Sequence, residues 1–206
     1  MGKGKKRGSQ PKKSTAKFFA TIIGVIGIAV IVGAVFMTLS NSQASSSVGG
    51  RNLTVAPGTV VVEGLEVGQL APDFRLIDPL KGPISKATFH GKPLVIFFTT
   101  TWCTPCQIGA QNLARYDDET GGNAFNVLIV FVDPRETESQ FLDWKNKYGR
   151  EDWYVAAGVD MVAQYKVRYL DTKYVLDKDG IIRWVDVYPL EYSKIKQVLA
   201  PLLTQK

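Results

Sequence analysis

The chain has 206 residues, is 45% hydrophobic and carries a formal net charge of +6. That length suits one domain plus an appendage. The positive charge is confined to one end: residues 1–17 hold seven basic side chains and no acid, and the remaining 18 basic residues face 19 acidic ones, which argues against a nucleic-acid-binding body.

The segment Phe18–Leu39 follows, with no charge and many Ile, Val, Ala and Gly. A helix of this length spans roughly 33 Å, enough for a hydrocarbon core of about 30 Å. It has no polar face, so a buried soluble helix is a poor reading. The basic tail before it predicts a cytoplasmic N-terminus and an extracytoplasmic body on a single-pass membrane anchor. Ser42-Gln43-Ala44 loosely resembles a signal-peptidase site, but the apolar run exceeds the roughly 7–15 residues of a signal h-region, which favours an uncleaved anchor. The expected organisation is a tail over 1–17, an anchor over 18–39, a flexible spacer over 40–66 and a globular domain over 67–206. Within the spacer, Ser40–Gly50 is rich in Ser, Asn and Gly, and Thr59–Val62 reads as a short strand or an extended tether.

In the globular part Phe74–Ile77 predicts a short strand. Pro93–Thr99 predicts a buried central strand, followed by a helix to about Asp118 and a turn at Gly121-Gly122-Asn123. Phe125–Val132, almost wholly apolar, predicts a strand covered on both faces. Glu136–Tyr148 reads as a helix with Phe141, Trp144 and Tyr148 on one face, and Val159–Tyr165 as a short helix. Lys173–Leu176 and Ile181–Val187 form a hairpin about Asp177-Lys178-Asp179-Gly180. Tyr192–Leu203 closes the chain as a helix, with Ile195, Val198, Leu199 and Leu202 on its buried face. This order predicts an α/β fold with a mixed sheet flanked by helices.

The chemistry sits in Trp102-Cys103-Thr104-Pro105-Cys106, which holds the only two cysteines of the chain. They fall where the central strand hands over to a helix, at the end where open sheets carry their sites. Unpaired N–H groups and the positive end of the helix dipole favour a thiolate there. Cys103, nearer the helix start and more exposed, is the expected nucleophile, and Cys106, a turn inside, the resolving thiol. Pro105 stiffens the loop and removes one N–H. A CxxC loop is too small to staple a fold, and two Cys with one His fall short of a structural zinc site. The aromatics Trp144, Trp153, Tyr154 and Trp184 read as packing. His90 reads as a surface loop residue, and Asp117-Asp118-Glu119 as a solvated helix end.

With Val67-Gly68-Gln69-Leu70-Ala71-Pro72-Asp73-Phe74 at the entry, Gly91-Lys92-Pro93 before the central strand, the WCxPC motif and Leu176-Asp177-Lys178-Asp179-Gly180 in the hairpin, residues 67–204 resemble the thioredoxin superfamily. The nearest branch is its membrane-anchored redoxins: TlpA/ResA-type thiol-disulfide proteins, peroxiredoxin relatives and Sco-type copper chaperones. The resemblance implies a thioredoxin-like fold, a cofactor-free CxxC dithiol and a Trp102 that shields one side of the nucleophile. Implied partners are exported cysteine-containing clients and an upstream membrane or extracytoplasmic thiol donor.

Several family positions differ. Asp171 stands where a cis-proline usually faces the cysteines, Gly109 where the TlpA/ResA branch often has Glu, and Phe97 where thioredoxins bury an Asp. The usual acid–base helpers are missing unless Asp171 substitutes for one. Phe131-Val132-Asp133-Pro134-Arg135-Glu136-Thr137 and Tyr165–Leu176 resemble Sco-type stretches, but Tyr169 occupies the copper-binding His position and the cysteines are CxxC, not CxxxC. Cys103 and Cys106 as soft Cu(I) ligands form the alternative reading. Thr100-Thr101-Trp102-Cys103 carries the Thr-x-x-Cys of a peroxiredoxin without its leading proline, whose place Ile96 takes.

Overall fold

The computed structural model describes residues 53–54 and 60–204. The basic tail, the Phe18–Leu39 anchor and the Ser40–Gly50 spacer lie outside the described residues. Among the described residues no helix is long and apolar enough to cross a membrane.

Two short antiparallel pairs precede the main sheet: β1 (Leu53–Thr54) with β2 (Val60–Val61), and β3 (Arg75–Asp78) with β4 (Gly82–Ser85). A 3-10 turn over Lys86–Phe89 then leads into β5 (Leu94–Thr99). The remaining elements are α1 (Thr104–Glu119), β6 (Asn126–Phe131), α2 (Glu138–Tyr148), β7 (Tyr154–Ala157), α3 (Val159–Gln164), β8 (Thr172–Leu176), β9 (Ile182–Asp186) and α4 (Tyr192–Leu203). The five-stranded sheet has the order β7-β6-β5-β8-β9. β5, β6 and β7 run parallel, while β8 and β9 are antiparallel additions on the other side of β5.

β5 is central because all six of its residues are buried and apolar or threonine. Strand alternation sends them to two cores. Val95 and Phe97 join Val127, Ile129 and Phe131 of β6 against α1, α2 and α4. Leu94, Ile96 and Phe98 join Leu128 and Val130 against Phe74, Phe89, Met161 and Tyr165. Burial of each such side chain is worth about 1.5–3 kcal/mol, which is why the sheet rather than local propensity sets the architecture.

The mixed α/β sheet matches the expectation, with differences at particular elements. β4 and β7 carry no strong strand pattern; Gly82-Pro83 hides the first, and four residues are all there is of the second. α2 starts at Glu138, not Glu136, because Thr137 forms a capping box with Gln140. Glu136 is thereby left in the preceding loop, free to reach another part of the chain.

Candidate active site

α1 begins immediately after Cys103, which is its N-cap residue and whose Sγ accepts from the backbone N–H of Cys106 at 3.4 Å. Pro105 lies in the first turn, and the main chain enters the helix through Gln107 N–H to Cys103 carbonyl at 3.0 Å. No acidic side chain occupies that first turn, so the helix dipole acts on the sulfurs unopposed from within α1. Cys103 and Cys106 are joined as a disulfide with a Cα–Cα distance of 5.3 Å. Cys103 is 6% exposed and Cys106 fully buried. The outer sulfur is therefore only narrowly open.

The loop before the cysteines is held from three directions. Glu136 Oε1 accepts from both the N–H and the hydroxyl of Thr101, at 2.5 and 2.6 Å. Gln107 Nε2 donates to the Thr101 carbonyl at 2.8 Å. Trp102 is 61% exposed, and its indole N–H donates to Asp133 Oδ2 at 3.3 Å. Arg135 bridges the same carboxylate at 2.7 Å, and its hydrogen bonds hold Asp133 well below the usual carboxylate range. The stretch Asp133–Glu136 is thus the clamp of the redox loop. Sequence reading missed Glu136 because it looked like the first residue of a helix.

Asp171 lies just before β8, 4% exposed, in the left-handed region at φ 67°. Its N–H donates to the Phe98 carbonyl at 3.1 Å, tying it to the end of β5 from which the cysteine loop departs. Its Oδ1 accepts from Lys173 Nζ at 2.6 Å, and Lys173 is fully buried. Burial pushes the Asp171 carboxyl up, offset by Lys173, and pushes the Lys173 ammonium down, offset by Asp171. Lys173 was also missed; an isolated Lys in an apolar strand, facing the Phe97 position, was the available signal.

Gly109 has a packing reason. A Cβ there would stand 3.1 Å from Leu190 Cβ and 3.7 Å from Phe97 Cζ. Phe97 and Leu190 fill the space that a glutamate at this position would need. Beside it, Pro105, Ile108, Pro189 and Leu190 border an apolar groove of about 340 Å³ next to the disulfide.

His90 is exposed, at the start of the turn into β5. The cysteines lie beyond the opposite end of that six-residue strand, about 20 Å long, so the chain's one His is out of reach of both sulfurs. Tyr169, at the position of the Sco-type ligand, is 66% exposed. Among the described residues no group of three or more His, Cys, Asp or Glu is placed to hold a metal. At this site, among the described residues, the two cysteine sulfurs are the soft donors. The Asp117-Asp118-Glu119 reading is corrected at its first residue. Asp117 is fully buried, accepting from Trp153 Nε1 at 2.8 Å and pairing with Arg150 at 3.3 Å, because it falls on the face of α1 that packs inward.

A CxxC disulfide capping the helix that follows the central strand of a mixed sheet defines a thioredoxin-like thiol-disulfide oxidoreductase. The sequence profile of the AhpC/TSA family matches residues 67–185, and the chain belongs to that family. Thioredoxin-like protein YneN of Bacillus subtilis is 26% identical over 136 residues, 66% of this chain and 80% of the relative. Thiol-disulfide oxidoreductase ResA of Bacillus anthracis is 27% identical over 123 residues, 57% of this chain and 68% of the relative. The crystal structure of Arabidopsis thaliana ScoI with copper bound superposes with a TM-score of 0.58 at 16% identity, over 66% of this chain and 99% of that one. At that identity the last likeness concerns the fold alone.

Proposed function

We propose that the chain is a membrane-tethered, extracytoplasmic oxidoreductase that reduces or exchanges disulfides in exported proteins. The observation that carries this reading is the Cys103–Cys106 disulfide at the start of α1, with one sulfur at the surface edge and one inside. In the reduced protein, Cys103 attacks a client disulfide and forms a mixed disulfide; Cys106 then attacks Cys103 Sγ and releases the client thiol. The protein is left oxidised, and an upstream extracytoplasmic thiol donor restores it. Exposed Trp102, Ile108, Tyr169 and Tyr188, with the apolar groove beside Pro105, support docking of an apolar stretch of client chain. The uncharged Phe18–Leu39 segment and the basic tail support the tether and its orientation.

The test is exchange with a disulfide-bonded model client. Cys103→Ser abolishes exchange and Cys106→Ser accumulates the mixed disulfide. Wild-type exchange by both variants would sink the proposal. A Cu(I)-carrying role draws on the two sulfurs and the ScoI-like fold, but no third ligand stands near them among the described residues. Cu(I) titration of the reduced protein decides it: affinity no greater than that of a small dithiol removes the copper reading.

A further inference from the structure

The chain between β5 and α1 is a four-residue turn. Cys103 N–H donates to the Thr100 carbonyl at 3.2 Å, which puts Thr101 and Trp102 at the two central positions. The N–H and carbonyl of Thr101 take no part in closing such a turn and ordinarily meet water. Here both are taken by side chains. Glu136 Oε1 accepts from the Thr101 N–H at 2.5 Å and from its hydroxyl at 2.6 Å, and Gln107 Nε2 donates to the Thr101 carbonyl at 2.8 Å. Glu136 thus fixes the peptide that enters the turn, and Gln107 the peptide at its centre. The turn ends on Cys103, whose Sγ stands at the N-cap of α1 and accepts from the Cys106 N–H at 3.4 Å.

Stability does not account for this use of a glutamate. Glu136 Oε2 is buried with no hydrogen-bond partner among the described residues, and so is Thr100 Oγ1, one residue before Thr101. An unpaired buried oxygen keeps its desolvation penalty, and a water would satisfy the Thr101 N–H without it. Charge does not account for it either. A carboxylate beside a redox loop opposes a thiolate, and Asp133 and Arg135 of the same loop pair with each other at 2.7 Å, leaving the Glu136 carboxylate facing the turn. What a carboxylate does supply is one oxygen strong enough to hold two donors closely.

We propose that Glu136 is a positioning residue of the exchange reaction: by holding the Thr101 peptide it keeps the Cys103 sulfur over the free N–H groups of α1, and it acts through this geometry, against its own charge. Two loops assemble the device. β6 runs parallel beside β5 with Phe131 opposite Thr99, so the loop after β6 arrives level with the turn after β5. There Glu136 N–H donates to the Asp133 carbonyl at 3.2 Å, and Thr137 caps α2 with Gln140. Glu136 is thereby kept out of the helix and directed to Thr101.

This inference rests on the exchange reading with Cys103 as nucleophile, and its test needs no client. The full chain is reduced and alkylated with iodoacetamide between about pH 5 and 9, and modification of Cys103 is read by peptide mass; the midpoint of rate against pH reports its thiolate. Glu136→Ala frees the Thr101 N–H and hydroxyl together. The midpoint then rises by up to about one pH unit, which slows alkylation below it by up to about tenfold. Glu136→Gln keeps an amide oxygen for both donors and holds the wild-type midpoint. Thr101→Val loses the hydroxyl, keeps the N–H and gives a smaller rise. A midpoint that falls in Glu136→Gln overturns the proposal, because loss of an opposing charge is what lowers it. Glu136→Gln behaving like Glu136→Ala overturns the positioning by an acceptor oxygen. Unchanged midpoints in Glu136→Ala and Thr101→Val, with lowered unfolding temperatures, would leave Glu136 a structural residue and overturn the proposal. Glu136→Gln and Thr101→Val carry the test if Glu136→Ala does not fold. Exchange retained by Cys103→Ser would instead overturn the exchange reading.

Discussion

The two ends of the central sheet bury carboxylates in opposite ways. At the end away from the cysteines, Asp78 and Asp177 are 1% and 4% exposed. Asp78 accepts from the N–H groups of Leu80, Lys81 and Val155, and Asp177 from those of Asp179 and Ile181 and from Arg183. Every oxygen of these two acids is used, and they knit turns to strands. At the cysteine end, Asp171 and Glu136 are each held through one oxygen, and the other is buried without a partner among the described residues. Asp117 also leaves one oxygen unpaired, but on the α1 face that packs against Trp153 and Arg150. A saturated buried acid is an architectural part. An unsaturated one at a redox site still has an oxygen free.

The contrast can be broken experimentally. The largest effect is on chemistry: Cys106→Ser should stop turnover at the mixed disulfide, read by client capture on a non-reducing gel, with no loss of fold. Next, Asp78→Ala at the saturated end should cost about 3 kcal/mol by leaving buried N–H groups unpaired. Denaturant unfolding measures this, and exchange per folded molecule should remain at the wild-type rate. Unchanged stability would mean that saturation does not mark structural acids. Glutamate at position 109 would have to displace Leu190 and Phe97; thermal unfolding should show a loss of about 1–3 kcal/mol from overpacking. A stable Gly109→Glu protein would show that the apolar filling of this region is dispensable.

The smallest effect concerns Asp133. Its folded carboxyl titrates below the usual range, so its contribution is present above ordinary carboxylate pKa values and is lost as pH falls through and below them. Protonation weakens Asp133 as the acceptor of the Trp102 indole N–H. The fluorescence difference between wild type and Trp102→Phe should therefore change in acid before global unfolding, and Asp133→Asn should remove that change. A pH-independent difference would show that the indole is placed by other contacts.

The fold was legible where pattern and burial coincide. Pro93–Thr99 and Phe125–Val132 are almost wholly apolar because both faces of the sheet are covered, and the helix over Tyr192–Leu203 shows its buried stripe directly. β7 was not legible: Tyr154-Val155-Ala156-Ala157 becomes a strand only because β6 offers it a parallel edge. At the site, the cysteines announced themselves by spacing. Glu136 did not, since a glutamate beside Thr137 reads as the first turn of a helix until Thr101 is seen to bind it. Asp171 could be singled out in the sequence as an unusual residue at an expected proline, but its pairing with Lys173 could not.

Local order was thus decided along the chain: a buried strand, a CxxC pair, a proline in the first helical turn and an uncharged 22-residue segment are properties of neighbouring residues. Whether a buried charge is neutralised, and whether an oxygen is left free, depends on residues far apart in the chain. Asp171 and Glu136 sit 68 and 33 positions from Cys103. They reach the redox end because β5 is bordered by β8 on one side and by β6 with its following loop on the other. Desolvation is a property of the assembled core, so the electrostatic character of this dithiol appears only when the sheet has closed around it.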